Sequence, residues 1–328
     1  MKRNVVVHAA FIALLLLLPL PALGDITPPS PSSPVAKPKP DEDNAVKKEF
    51  RVWCEEENRT ISMDEREFIL YTVAAEMPVS YGEEALKAQA IASYTYYCYQ
   101  REQEKLSPSA DLHGADFADA PSDFPENYNE KAWRERWGEN FDKHFKTLNT
   151  AVDAVFGTTM CYDGALIMAA YHAISCGQTE SAENVWDTAL PYLQSVPSTG
   201  DALAEDFTSV CTFTTAELAA ALANTPHVQL SGDAAGWLGE IERTQAGTVK
   251  RLTIGQVDFT GRELRKLLGL RSASFDVAYK DGVFTFTVQG FGHGVGMSQY
   301  GAGYLARQGM RYDEILRYYY TGVTLRND

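Results

Sequence analysis

Glu76 is the lone carboxylate in Val73-Ala74-Ala75-Glu76-Met77-Pro78, among small apolar side chains. A helix should stop there, because Pro78 disfavours helical geometry in the residue before it. Burial and the negative end of a helix both disfavour an ionised carboxylate, so the pattern predicts a raised pKa. Such a group can protonate a leaving oxygen near neutral pH. The plain alternative is a glutamate on the exposed side of an Ala-rich helix.

Two later segments carry further candidate chemistry. Tyr171-His172-Ala173-Ile174-Ser175-Cys176-Gly177-Gln178-Thr179-Glu180 reads as a strand end running into a polar loop. Its imidazole, hydroxyls, thiol and carboxylate suit either a nucleophile with its base or a hydrogen-bonded turn. Gln289-Gly290-Phe291-Gly292-His293-Gly294-Val295-Gly296-Met297-Ser298-Gln299-Tyr300-Gly301-Ala302 has a glycine at every second position after a strand. Glycines let another group approach the backbone, as in a wall of a ligand cleft or a tightly packed turn. The spacing is not a dinucleotide fingerprint, and it lacks a P-loop lysine. Neither Cys176 nor Ser298 sits on a nucleophile elbow, which makes a thiol or serine hydrolase the weaker reading.

These segments need elements to hold them. Asp64 with Glu67 forms a capping-box signature for a helix through Phe68, Tyr71, Thr72 and Ala75. Ser80 with Glu83 is a second, opening a longer helix on which Leu86, Ala90, Tyr94, Tyr97 and Cys98 share a face. A polar loop should cover Leu106 to Asn129, and a helix should run from Glu130 to about Phe156 with Gly138 as its weak point. Thr158 to Tyr162, Asp163-Gly164 and Ala165 to Ala173 then read as a hairpin. Thr215 to Ala223 and Ser298 to Gln308 read as helices. Val249 to Ile254, Phe275 to Tyr279 and Val283 to Val288 read as strands, and Asp281-Gly282 as a hairpin turn. Helices and strands mix without βαβ alternation, so the fold class is α+β.

The chain of 328 residues carries 44 acidic against 29 basic side chains, a formal charge of −15. A body so negative repels phosphate backbones, and no Lys/Arg run offsets it, so nucleic acid is excluded as a partner. Met1-Lys2-Arg3, the apolar run Val5 to Leu18 and Ala22-Leu23-Gly24 make residues 1–24 a signal peptide or a membrane anchor. Residues 25–46 form a Pro-rich linker, with six prolines between Thr27 and Pro40. Residues 47–328 then lie outside the cytoplasm, either secreted or tethered. Five cysteines leave at least one thiol unpaired. His172 and Cys176 would suit two metal ligands only on a helix, and their segment reads as strand and loop.

Taken together, these segments resemble the stage II sporulation protein D family, which is related to amidase enhancers. The residues carrying the likeness are Ala75-Glu76-Met77-Pro78, Glu84 to Ala92, and His172-x-x-Ser175-x-Gly177-x-Thr179-Glu180. Val185-Trp186, Pro191-Tyr192-Leu193, Gly261-Arg262-Glu263-Leu264-Arg265 and Phe291 to Ala302 complete the set. The resemblance implies a catalytic domain over 47–328, with helices and antiparallel strands around a glycan cleft. It implies a lytic transglycosylase of forespore engulfment during sporulation. Such an enzyme cuts the β-1,4 bond between N-acetylmuramic acid and N-acetylglucosamine in peptide-free strands and leaves 1,6-anhydro ends.

Glu76 matches the catalytic acid. His172, Ser175, Thr179, His293, Ser298, Gln299 and Tyr300 then become candidates to line the cleft. The implied partners are glycan strands, stage II sporulation proteins P (an amidase) and M, and a membrane held through the N-terminal segment. The implied location is the wall-facing side of the septal or engulfing membrane. A non-catalytic amidase-enhancer or glycan-binding module is the alternative. Two departures stand out. Tyr94 occupies a position where the family commonly has Arg. The stretch His113 to Tyr128 lacks the cysteines with which some members bind zinc. No metal and no cofactor are therefore expected.

Overall fold

The computed structural model describes residues 48–55, 57–118, 124–126 and 128–327. The signal or anchor and the Pro-rich linker lie outside the described residues. Among those residues no helix is long and apolar enough to cross a membrane.

A hairpin of β1 (Glu49–Cys54) and β2 (Arg59–Asp64) leads directly into helix α1 (Glu65–Glu76). Asp64 caps α1, its carboxylate accepting from the Glu67 amide at 3.0 Å. The helix stops where Pro78 requires it, with Met77 extended at φ −133 and ψ 127. Ser80 does not cap the next helix. A single turn of 3₁₀ helix, Val79–Tyr81, intervenes, and Gly82 at φ 100 reverses the chain into α2 (Glu83–Leu106). Residues from Ala85 to Cys98 are buried on almost every side of α2, which marks it as the central helix of a core rather than a surface one.

Gly138 breaks the next predicted helix instead of merely weakening it. At φ 52 it divides α3 (Glu130–Trp137) from α4 (Phe141–Asp153). Strands β3 (Thr158–Tyr162) and β4 (Ala165–Leu166) pair around Asp163-Gly164, as the turn signal requires. The second strand is shorter than expected. The chain leaves the hairpin after Leu166 and forms β5 (Tyr171–His172), followed by α5 (Ala182–Trp186).

A separate lobe follows before the chain returns. It holds β6 (Thr208–Thr214), α6 (Thr215–Leu222), β7 (Leu238–Arg243), β8 (Val249–Ile254), β9 (Val257–Phe259), α7 (Gly261–Leu268), β10 (Phe275–Lys280) and β11 (Val283–Gln289). Two antiparallel sheets, ordered β10-β11-β6 and β7-β8-β9, enclose a core of Leu218, Leu252, Ile254, Leu264, Phe284, Phe286 and Val288. Both lobe helices start with a full capping box, Thr214 with Glu217 and Thr260 with Glu263.

The return is made by β12 (Met297–Ser298), which pairs in parallel with β5, Met297 against Tyr171 and Ser298 against His172. Helices α8 (Gln299–Arg307) and α9 (Tyr312–Tyr319) pack against α2, and β13 (Thr324–Asn327) closes on β3. The architecture is mixed α+β, with most strand pairs antiparallel. Its effect on the site is simple. The two-residue pairing of β5 with β12 brings residues 171–173 and 297–300, far apart in sequence, against one another.

Tyr94 has a defined partner. Its hydroxyl donates to Oε2 of Glu65 at 2.8 Å, while Arg101 donates to Oε1 at 2.5 Å. Glu65 is 1% exposed. The cation that the resemblance places at position 94 is thus supplied two helical turns later on the same face of α2. All five cysteines are free thiols.

Candidate active site

Glu76 is the last residue of α1 and is half-buried. Gln299, the first residue of α8, donates its amide Nε2 to Oε2 of Glu76 at 3.2 Å. The same nitrogen reaches Oε1 of Gln89 at 3.3 Å. Gln89 donates in turn to the Ser93 hydroxyl at 3.0 Å, and Ser93 to the Tyr171 hydroxyl at 3.4 Å. Gln89 and Ser93 lie one turn apart on α2, so the buried stretch of the helix threads a polar chain through the core. Burial, and after it the charge of Glu76, holds the Tyr171 phenol well above its ordinary pKa. Tyr171 therefore stays a neutral hydroxyl. Nearby carboxylates are committed elsewhere, Glu83 and Glu84 to Lys87 and Glu84 also to the Tyr312 amide at 2.8 Å.

Tyr300 stands beside this chain. Its ring meets Tyr81 edge to face at 5.7 Å, and the Arg307 guanidinium lies 5.6 Å from its centroid. Tyr81 belongs to the turn that Pro78 initiates, so the aromatic pair borders the end of α1. Burial raises the Tyr81 phenol to about 12.

His172 and His293 come together as a pair, ring centroids 5.7 Å apart. The backbone of Val295 fixes both. Its carbonyl takes the His172 Nδ1 proton at 3.1 Å, and its N–H donates to His293 Nδ1 at 3.1 Å. His172 Nε2 is buried without a partner. Burial lowers His172 to about 4 and His293 well below its ordinary value, so both rings are neutral at physiological pH. Trp186 covers His293 at 5.3 Å.

Ser175, Thr179 and Ser298 are buried and brace the loops. Ser175 gives both its backbone N–H and its hydroxyl to Oδ2 of Asp201. Ser298 donates to Oδ1 of Asp201 at 2.8 Å while capping α8 through the Gly301 amide at 3.2 Å. Thr179 accepts from the Val196 amide at 2.9 Å. Asp201 is 0% exposed and is the anchor that sequence reasoning missed. It lies in a turn, Ser198-Thr199-Gly200-Asp201, whose composition signals only a loop. Burial raises its pKa despite these donors.

Glu180 is also buried, at 1% exposed. Oε1 accepts from the Ser181 amide and Asn184, and Oε2 from Thr244 at 2.6 Å and Thr248 at 2.7 Å. The last two belong to the β7–β8 turn, so Glu180 fastens the lobe to the loop after β5.

The glycine run follows from this packing. A Cβ on Gly296 would stand 2.0 Å from the Ala170 carbonyl, and the residue has φ 72. At Gly294, with φ 84, the nearest atom would be the Glu180 Cβ at 3.4 Å. The close approach at Gly296 is therefore made by the chain's own segment before β5.

Neither hydrolase alternative is assembled. Cys176 donates to the Ala246 carbonyl at 3.3 Å, and burial pushes its thiol up. Its neighbour in sequence, His172, is turned to Val295. Among the described residues no cluster of three His, Cys, Asp or Glu is placed to hold a metal. His113 packs tilted against Trp53, ring centroids 4.1 Å apart.

Known proteins share extended sequence similarity with this chain. A family model described as stage II sporulation protein (SpoIID) matches residues 55–162, which include Glu76, Gln89 and Ser93. The chain is 36% identical over 260 residues to stage II sporulation protein D of Bacillus amyloliquefaciens, covering 79% of this chain and 73% of that one. The protein of that name from Bacillus subtilis is 35% identical over 261 residues, with the same shares covered. An amidase enhancer of Bacillus subtilis is 27% identical over 300 residues, covering 76% of this chain and 39% of its own.

Proposed function

Because the chain belongs to the stage II sporulation protein D family, we propose that it is a peptidoglycan lytic transglycosylase with Glu76 as its single acid and base. The observation that carries the reading is the company of Glu76. The chain from Glu76 through Gln299, Gln89, Ser93 and Tyr171 consists of amides and hydroxyls. Ordinary glycosidases need two carboxyl groups, one as acid and one as nucleophile or base. A lytic transglycosylase needs one. Protonated Glu76 gives its proton to the oxygen that leaves C1 of N-acetylmuramic acid. The resulting carboxylate then takes the proton of the same sugar's 6-hydroxyl, whose oxygen bonds to C1. The products are a free 4-hydroxyl and a 1,6-anhydro end, no water is consumed, and the acid is restored.

Gln299 holds the carboxylate in place, and the Tyr81–Tyr300 pair offers aromatic surface for a sugar ring. In this reading the enzyme works on peptide-free strands during engulfment, held at the wall-facing side of a membrane by its N-terminal segment. Stage II sporulation proteins P and M are its partners. The test is mass spectrometry of peptide-free strands digested by the wild type and by Glu76→Gln. Anhydro ends are expected from the first and not from the second.

The likeness to an amidase enhancer favours a second reading, a module that binds glycan and stimulates an amidase without cutting. A wild-type protein that yields no anhydro ends but raises an amidase's rate decides for it.

A further inference from the structure

Arg265 stands out in a chain rich in carboxylates. Arg101 pairs with Glu65, Arg243 with Asp276 and Arg271 with Asp206. Arg265, partly buried on α7, has neither a carboxylate nor a hydrogen-bond acceptor among the described residues, and desolvation alone acts on its charge. Taking a guanidinium out of water without an anion costs stability. A protein of charge −15 has acids to spare for that position, and among the described residues none stands there.

Arg262, one turn earlier, donates to the Val185 carbonyl at 2.6 Å and so fixes α7 against α5. Trp186 follows Val185, with its partly buried indole against His293. The charge of Arg265 is felt at both His172 and His293. Those two rings are neutral, and Arg265 is a cation whose charge acts on both. His172 Nε2, with its Nδ1 proton given to Val295, is a buried acceptor that can take a hydrogen bond but offers none to an anion.

We propose that Arg265, on the helix that Arg262 pins next to Trp186, forms an anion subsite that binds a free carboxylate carried by a sugar of the glycan strand. This rests on the glycan reading above and names what selects the strand. N-acetylmuramic acid bears a lactyl carboxylate once its stem peptide is gone. With the peptide attached, the same carbon is a neutral amide with a chain beyond it. A guanidinium fork binds a carboxylate through two charge-assisted hydrogen bonds and gains little from an amide. Trp186 supplies the flat apolar face on which a sugar ring packs. Selection for peptide-free strands then lies in the lobe's helix α7, apart from Glu76.

The test measures binding without turnover, in the Glu76→Gln background, so it answers even if the protein does not cut. Two probes are used: peptide-free strands, and the same strands with their carboxylates converted to methylamides. The acid strands should bind roughly ten- to a hundredfold tighter, the range expected for charge-assisted hydrogen bonds. Arg265→Gln should bind both strands at the weaker level, and Arg265→Lys should fall between. The Tm of Arg265→Gln should be unchanged or higher, because an unpaired cation has been removed. Equal binding of the two strands by the Arg265 protein overturns the proposal, as does an Arg265→Gln protein that keeps the preference. Should Arg265→Gln fail to fold, the comparison of the two strands on the Arg265 protein still decides. Loss of anhydro products from the wild type with the preference intact would refute the catalytic reading and leave the subsite standing.

Discussion

The body that carries Glu76 and the lobe that carries α7 bury different things. Among the described residues the lobe's buried polar side chains are Ser272 and Ser274. The body buries Glu65, Gln89, Ser93, His172, Ser175, Thr179, Glu180, Asp201, Ser298 and Gln299 besides several others. The lobe core is a plain two-sheet packing of Leu, Ile, Val and Phe. A buried polar group costs free energy unless it is satisfied, and satisfied networks fix geometry more sharply than apolar contacts do. The body therefore gives up packing simplicity to hold a carboxylate and its amide partner in place. The lobe spends nothing of the kind inside and acts through its edges, Arg262 and Arg265 on one side and the Thr244–Thr248 turn on the other.

The largest effect expected from this contrast is on chemistry alone. Glu76→Gln keeps the shape and the contact to Gln299 but can neither give nor take a proton. Losing one general acid or base step costs ~10²–10⁴-fold, and here both steps are lost. Anhydro-end formation should fall by more than that range while the Tm stays within a degree or two. A variant that cuts at near wild-type rate would remove Glu76 from the mechanism. The lobe offers the opposite case. Phe286 is 0% exposed in its core. Phe286→Ala should cost about 3–5 kcal/mol of stability, measured by denaturant unfolding, and leave kcat of the folded fraction nearly unchanged. A kcat that fell with stability retained would show that the lobe core, not only its edges, shapes the site.

Most of the site's order along the chain was legible before any coordinates, and its reasons are local. Pro78 ends α1 at Glu76, Asp64 caps it, and Ser298 caps α8 so that Gln299 is its first residue. These signals depend on neighbours within four residues. What could not be read depends on long-range meeting. Gln89 looks like one polar residue on an Ala-rich helix until Gln299, 210 residues away, arrives beside it. Asp201 has no motif at all, because its partners Ser175 and Ser298 come from distant segments. The same limit hid the lobe, whose alternating strands look like those of the body.

An intermediate effect is expected from pH. His172 is held neutral in the fold, with a pKa of about 4 against an ordinary 6.5. Its folded value is depressed, so the unfolded chain binds a proton first as the pH falls. Stability is full above about 6.5 and is lost progressively towards 4. His293 shifts in the same direction. Each such group contributes at most about 1.4 kcal/mol per pH unit within that window. Thermal melts from pH 7.5 to 5 should show falling Tm, and His172→Gln should flatten the slope. An unchanged slope in that variant would assign the acid sensitivity to other groups.

The smallest effect concerns the seam between the two regions. Oε2 of Glu180 takes the hydroxyls of Thr244 and Thr248, whose oxygens lie 3.0 Å apart. Thr248→Val keeps the shape and removes one donor, leaving Thr244 on the same oxygen. The loss should be about 1 kcal/mol, the net worth of one hydrogen bond with the acceptor still satisfied. The double variant Thr244→Val with Thr248→Val differs in kind, because the oxygen then keeps no donor from the lobe. Its cost should exceed twice the single loss, since an unsatisfied buried carboxylate oxygen bears its full desolvation penalty. If the lobe acts only through its edges, this double variant should also weaken binding of acid strands while leaving the amidated strands bound as before. Arg265 would then be misplaced relative to Trp186, although neither residue has changed. Simple additivity in stability, with strand preference intact, would mean that α7 is located by Arg262 alone and that the Glu180 contact merely ties a hairpin down.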